Sequence, residues 1–262
     1  MPLDIDRYAH QASPLQRWDP RFKIFSLGLF ILAVALIKSI PLAGAALALA
    51  LLLVWVAGLP AHFVAGGVKW VLLFLVPFFI VMPLSYPGEP ASRLMGLPFA
   101  WEGLRLASLI VLKAVAIVLT AYAVFGSSRF DVSMLALQRL KCPKIIVQML
   151  LFSYRYVFVF LAEMRRMDTA MSARGFVKKA NVHTLRMVGN LIGTLLIRSF
   201  ERTERVYKAM LSKGYQGEFH TLVRFEAAGG DWLKAAGGVS VALILFGADV
   251  VGVFHPAVQG WL

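Results

Sequence analysis

One cysteine, Cys142, is all that the 262 residues offer, so no intrachain disulfide forms and no CxxC metal pair exists. The five histidines (His10, His62, His183, His220 and His255) stand at least 35 residues apart. No His/Cys cluster has metal-ligand spacing, and the expected metal ligands are none. Charge is scarce as well: 16% of residues are charged and 59% hydrophobic, against about 25% and about 45–50% in an average soluble domain. Those shortages exclude an ordinary soluble enzyme, a disordered chain, collagen and a coiled coil. The first 23 residues hold Asp4, Asp6, Arg7, Arg17, Asp19, Arg21 and Lys23 with no early apolar core. That is not a cleavable signal peptide, and the expectation is an amino terminus in the cytosol.

What the chain does have is a net charge of +13, from 27 Lys and Arg against 14 acids. Residues 126–224 alone carry 17 of those bases and six acids, Asp131, Glu163, Asp168, Glu201, Glu204 and Glu218. The remainder is almost neutral. A multi-pass membrane protein with a basic cytosolic block satisfies both the hydrophobicity and the charge, since cytoplasmic segments accumulate Lys and Arg.

A span needs about 20 apolar residues. Candidates run over 22–39, flanked by Lys23 and Lys38 as snorkelling bases; over Ala-rich 40–59, whose small residues allow close helix packing; over 64–84, kinked by Pro77; over 104–125; and over 235–254. A loop at 85–103 carries Pro87, Pro90 and Pro98. The fold class expected is all-α and polytopic, with about five transmembrane helices and 145–162 as a candidate sixth. Gln148, Ser153 and Arg155 argue against a lipid-facing sixth span. Three regions follow: 1–125 with the first four spans, 126–234 as a basic coupling-helix region, and 235–262 with the last span. Lys113 and Asp249 are the ionisable residues deep in these spans. They read either as a structural pair or snorkelling groups, or as functional residues.

The basic block contains a repeat. Arg166-Met167-Asp168-Thr169-Ala170-Met171-Ser172-Ala173-Arg174-Gly175-Phe176 recurs 39 residues later as Arg205-Val206-Tyr207-Lys208-Ala209-Met210-Leu211-Ser212-Lys213-Gly214-Tyr215. Each copy closes a long helical segment, 144–174 and 183–213, that begins apolar and ends charged. Taken singly, each end is helix punctuation: a Gly in the left-handed position and a cation complementing the helix dipole. Punctuation does not explain why small–basic–Gly–aromatic occurs twice, whereas docking into acidic grooves on a paired partner does. Met164, Met167 and Met171, with Met210 in the second copy, form a stripe suited to an adaptable interface or to core filling.

With these residues in view, the chain resembles the transmembrane T component of energy-coupling factor (ECF) transporters, most closely the cobalt-type CbiQ branch. Ala173-Arg174-Gly175 resembles the first small-Arg-Gly motif of that family. Ser212-Lys213-Gly214 resembles the second, with Lys in place of the usual Arg. Asp6–Leu15 and Trp18-Asp19-Pro20-Arg21-Phe22-Lys23 also resemble that branch, and the likeness covers nearly the whole chain. The resemblance implies a non-catalytic subunit of a bacterial or archaeal plasma membrane. It would join two ABC-type ATPases, which would bind ATP and Mg, to a substrate-capturing, CbiM-like membrane S component, for cobalt or nickel uptake. No cofactor is expected in this chain, and Ala173–Gly175 and Ser212–Gly214 would each dock on one ATPase.

Two other classes compete. A membrane-embedded enzyme needs paired carboxylates, a His/Asp cluster or a nucleophile near a base within the spans, and none is spelled locally. A secondary transporter often shows two related halves, but here the charge sits in one block. Nucleic acid is not an expected partner, because topology accounts for the basic pI of 10.2.

Overall fold

The computed structural model describes residues 13–16, 18–85, 92–94, 97–99, 101–217 and 229–252. Nine helices are present among them: α1 (Pro20–Leu36), α2 (Ile40–Val56), α3 (Ala61–Leu75), α4 (Phe78–Ser85), α5 (Trp101–Gly126), α6 (Phe130–Arg139), α7 (Lys144–Ala173), α8 (Val182–Ser212) and α9 (Gly229–Val250). The protein is an all-α polytopic membrane protein. Within the expected loop at 85–103, β1 (Ser92–Leu94) and β2 (Leu97–Phe99) pair antiparallel with Arg93 opposite Pro98.

Four stretches are long and apolar enough to cross a bilayer: Ala61–Ser85, Trp101–Gly126, Lys144–Ala173 and Gly229–Val250, with Ile40–Val56 as a shorter apolar helix. Pro77 falls in the break between α3 and α4, where its missing N–H and fixed φ interrupt the helix. The expected first span, 22–39, is observed as a shorter helix. Its helix ends at Leu36 after 17 residues, because Lys38, Ser39 and then Pro41 turn the chain directly into α2. At 1.5 Å per residue α1 is about 26 Å long, with Lys23, Leu27, Phe30 and Val34 buried and Phe25, Leu32 and Leu36 exposed. The candidate sixth span lies inside α7, whose length and hydropathy suit a crossing.

The chain divides into two compact units, one holding α1–α6 and α9, the other α7 and α8. In the first, α5 is central. Ala43, Ala46 and Ala50 of α2 are fully buried, as are Ala116 and Ala123 of α5, and these two helices make the unit's most extensive contact. Methyl-sized side chains let backbones approach and gain dispersion contact where lipid supplies no hydrophobic drive. The α1 helix packs on α9, α5 and α6, so α6 belongs with the spans rather than with the long basic helices.

The run Trp18–Lys23 explains how α1 is seated. Asp19 caps the helix, accepting from the Arg21 backbone N–H at 2.9 Å, with Pro20 in the first turn where no N–H is needed. The Arg21 guanidinium holds the same carboxylate at 2.7 Å. The Trp18 indole N–H donates to the Asp231 carbonyl at 3.3 Å, and the Phe22 ring lies 4.7 Å from that of Trp232. Lys23 does not snorkel. It is fully buried, and its ammonium donates to the Ser127 hydroxyl at 3.0 Å, to the Ser128 hydroxyl, and to the Leu15 carbonyl at 3.4 Å. Three donors meet three acceptors, the condition under which a buried ammonium is tolerable. Asp6–Ala12, also part of the amino-terminal likeness, lie outside the described residues.

In the second unit α7 and α8 run antiparallel. Near the start of α7, the Gln148 side chain donates to the Gly217 carbonyl at 3.1 Å and accepts from the Tyr215 hydroxyl at 3.2 Å. Arg198 pairs with Glu163 midway, and the Phe176 and His183 rings meet at 6.4 Å at the other end. Pro143 precedes α7, and Asn181 caps α8 by accepting from the Thr184 N–H at 2.8 Å.

Candidate docking site

The twin ends have the same backbone geometry. After α7, Gly175 has φ of 79°, its N–H bonds the Ser172 carbonyl at 3.0 Å, and the Phe176 N–H bonds the Met171 carbonyl at 3.1 Å. After α8, Gly214 has φ of 81°, its N–H bonds the Leu211 carbonyl at 3.0 Å, and the Tyr215 N–H bonds the Met210 carbonyl at 3.0 Å. These are two Schellman closures, each needing a left-handed residue that only glycine adopts without cost. A Cβ on either glycine would meet nothing within 4 Å, so the glycines answer to backbone conformation and not to crowding within the chain.

Ala173, Arg174 and Gly175 are exposed, and so are Ser212, Lys213 and Gly214; the aromatic that follows each is half-buried. Neither Arg174 nor Lys213 has an ion-pair partner among the described residues. Each therefore presents an uncompensated cation beside the helix C-terminus. Because α7 and α8 are antiparallel, the two ends lie at opposite ends of the pair. The 31 residues of α8 separate them by about 46 Å at 1.5 Å per residue. One small partner cannot cover both.

The methionines do not form one surface. Met210 lines a largely apolar groove of about 470 Å³ between the first half of α7 and the last turns of α8, with Phe152, Tyr156, Val206 and Tyr215. Met164, Met167 and Met171 lie beyond that groove, toward the Arg174 end.

Asp249 has hydrogen-bond partners that the sequence did not point to. Both Asp249 oxygens accept backbone N–H groups at the α1–α2 turn, from Lys38 at 3.0 and 3.1 Å and from Ser39 at 3.1 Å. These N–H groups stand just before α2 and need an acceptor, and a carboxylate there also meets the positive end of the helix dipole. No direct ion pair joins Asp249 to Lys113, but the two charges are near enough to attract each other. Among the described residues no group of His, Cys, Asp or Glu has the geometry to hold a metal; His10, His220 and His255 lie outside them.

Residues 11–222 match the CbiQ family, described as cobalt transport protein. The chain belongs to that family. It is 26% identical over 228 residues to the energy-coupling factor transporter transmembrane protein EcfT of Heliobacterium modesticaldum, covering 82% of this chain and 85% of that protein. It is 25% identical over 228 residues to the protein of the same name from Bacillus subtilis, 81% and 84% being covered. The cobalt transport protein CbiQ of Rhodobacter capsulatus is 27% identical over 155 residues, 56% of this chain and 63% of that one. This CbiQ-family chain is thus a T component of an ECF transporter, of the cobalt-type branch. Such a component is a transporter's membrane part, not catalytic in itself, and it works in a complex with other components.

Sequence reasoning missed Ser127, Ser128 and Asp231. They hold Lys23 and Trp18 across more than 100 residues of chain, and no local pattern signals such a pairing.

Proposed function

We propose that the chain couples two ABC-type ATPase subunits to a CbiM-like S component for uptake of cobalt ions, with nickel as the competing cargo. Arg174 and Lys213 each enter an acidic groove on one ATPase. ATP and Mg are bound by the ATPases, and no cofactor is held by this chain. When nucleotide draws the ATPases together, the ends of α7 and α8 move with them, and two rigid helices carry that displacement to the S component. One observation carries this reading: two exposed, cation-bearing helix closures, matched in φ and hydrogen bonding, at opposite ends of one antiparallel pair. Helix punctuation accounts for each closure but not for their matched geometry.

The Lys at 213 fits the same role with looser demands, since an ammonium supplies charge without the planar fork of a guanidinium. The basic block and the amino terminus then lie on the cytosolic side, in keeping with its excess of Lys and Arg. The reconstituted complex in liposomes tests the proposal. Arg174→Ala with Lys213→Ala is expected to abolish ATPase copurification and ATP-dependent cobalt uptake while membrane insertion persists. Unchanged uptake overturns the docking role, and uptake of nickel in preference to cobalt overturns the cargo.

A further inference from the structure

Beside the apolar groove lies a recess of about 370 Å³ lined by Arg155, Tyr156, Val159, Arg202, Arg205 and Val206. No carboxylate lines it. Arg205 meets Glu201 at a distant 3.8 Å, and Glu163, the nearby acid of α7, is taken by Arg198 and Arg166. Arg155 and Arg202 have no ion pair among the described residues. Three exposed arginines from two helices thus line one opening, Arg202 and Arg205 also lining an adjoining recess with Glu163 and Glu201, and the excess of cations over carboxylates favours an anion there. A phosphate matches the guanidinium fork in charge and geometry.

The occupant is further defined by what adjoins the recess. Tyr156 and Val206 also line the apolar groove, together with Met149, Phe152, Phe160 and Met210. On α8, Ile192, Leu196 and Phe200 are exposed. They continue at three- and four-residue spacing into Thr203 and Tyr207 of the groove wall, so one apolar helix face runs into it. A cationic recess opening onto an apolar channel suits an amphiphile with an anionic head and a hydrocarbon tail. We infer that the α7–α8 pair binds an anionic phospholipid, its phosphate among Arg155, Arg202 and Arg205 and an acyl chain along the groove. The recess is separate from Arg174 and Lys213, although the groove reaches Met210 and Tyr215 of the second closure, and the site goes beyond the coupling role.

Native mass spectrometry of the full chain in neutral detergent tests the inference, with dioleoyl phosphatidylglycerol, dioleoyl phosphatidylcholine and inorganic phosphate as probes. Phosphatidylglycerol is expected to be retained preferentially. Arg155→Gln with Arg202→Gln should weaken that retention by about tenfold or more, whereas Arg186→Gln, on α8 outside the recess, should not. Should the double variant fail to elute as folded protein, Arg155→Lys with Arg202→Lys keeps the charge but loses the forks, and weaker retention is again expected. Equal retention of the two lipids, or undiminished retention in the folded double variants, overturns the proposal. So does binding of inorganic phosphate as tight as that of the lipid, which would make the recess a free-anion site. Displacement of the lipid when the ATPases are added would assign the recess to a protein side chain and likewise overturn it.

Discussion

The two units of this chain are built on opposite terms. In 17 residues α1 buries Lys23, Ser26, Leu27, Phe30, Ala33 and Val34. Across 30 residues α7 buries Val147 alone, and across 31 residues α8 buries Leu191 alone. The first unit is held by its own packing. The second consists of two helices whose faces this chain leaves uncovered, joined by few side-chain bonds and steadied along their surface by pairs such as Glu204–Lys208 at 2.8 Å. A long helix free of a core of its own can follow whatever it touches, which is what the proposed transmission of motion requires.

The comparison makes a dissociation testable. Substitution in α7–α8 should remove function and leave stability; substitution in the packed unit should do the reverse. The largest effect is functional. Arg174→Ala with Lys213→Ala, expected to abolish uptake, should leave the melting temperature in detergent unchanged, because both side chains are exposed and unpaired. A drop of several degrees in that double variant would break the contrast.

Next come two substitutions in the packed unit. A Cβ on Gly103 would stand 2.5 Å from the Met82 carbonyl oxygen and 2.7 Å from the Pro83 Cα. The obstacle is backbone, so α4 and α5 must separate, and Gly103→Ala should cost about 2–3 kcal/mol, read as a lowered midpoint of thermal unfolding. Lys23→Met removes the donor shared by Ser127, Ser128 and the Leu15 carbonyl. Leaving such buried groups without partners costs about 1–3 kcal/mol. Its thermal midpoint should fall while ATPase copurification of the folded fraction persists. Loss of copurification at unchanged stability would place Lys23 in the coupling path instead.

The long helices were legible because their punctuation is local. Pro143, Asn181, Gly175 and Gly214 bound 144–174 and 183–213 to within a residue of the observed α7 and α8. The seating of α1 was not. Hydropathy runs on past Leu36, but the chain turns there, and Lys23 looks like an interfacial base until Ser127 and Ser128 are folded against it. Asp249 was only half legible for a related reason. Its hydrogen-bond partners are backbone N–H groups of Lys38 and Ser39, and every residue but proline carries one, so side-chain types alone point only to Lys113, whose charge it also meets. Of the residues proposed to dock, the repeat singled out which they are. The separation of the ends came only from the antiparallel pairing of α7 with α8.

The smallest effect is the most discriminating within the second unit. Gly175→Ala and Gly214→Ala each force a Cβ into a left-handed conformation, at about 1 kcal/mol, and neither new methyl meets anything in the chain. If the closures serve only as helix ends, each variant frays its last turn, amide exchange rises around Met171 or Met210, and uptake is unaffected. If the bare backbone beside each cation lies against an ATPase, the same methyl also obstructs docking. Uptake then falls further than the fraying explains, and by similar amounts at the two ends, because the closures match in φ and hydrogen bonding. An unequal loss, heavier at Gly175, would show that Arg174 makes the closer contact and that Lys213, lacking the guanidinium fork, tolerates a looser one.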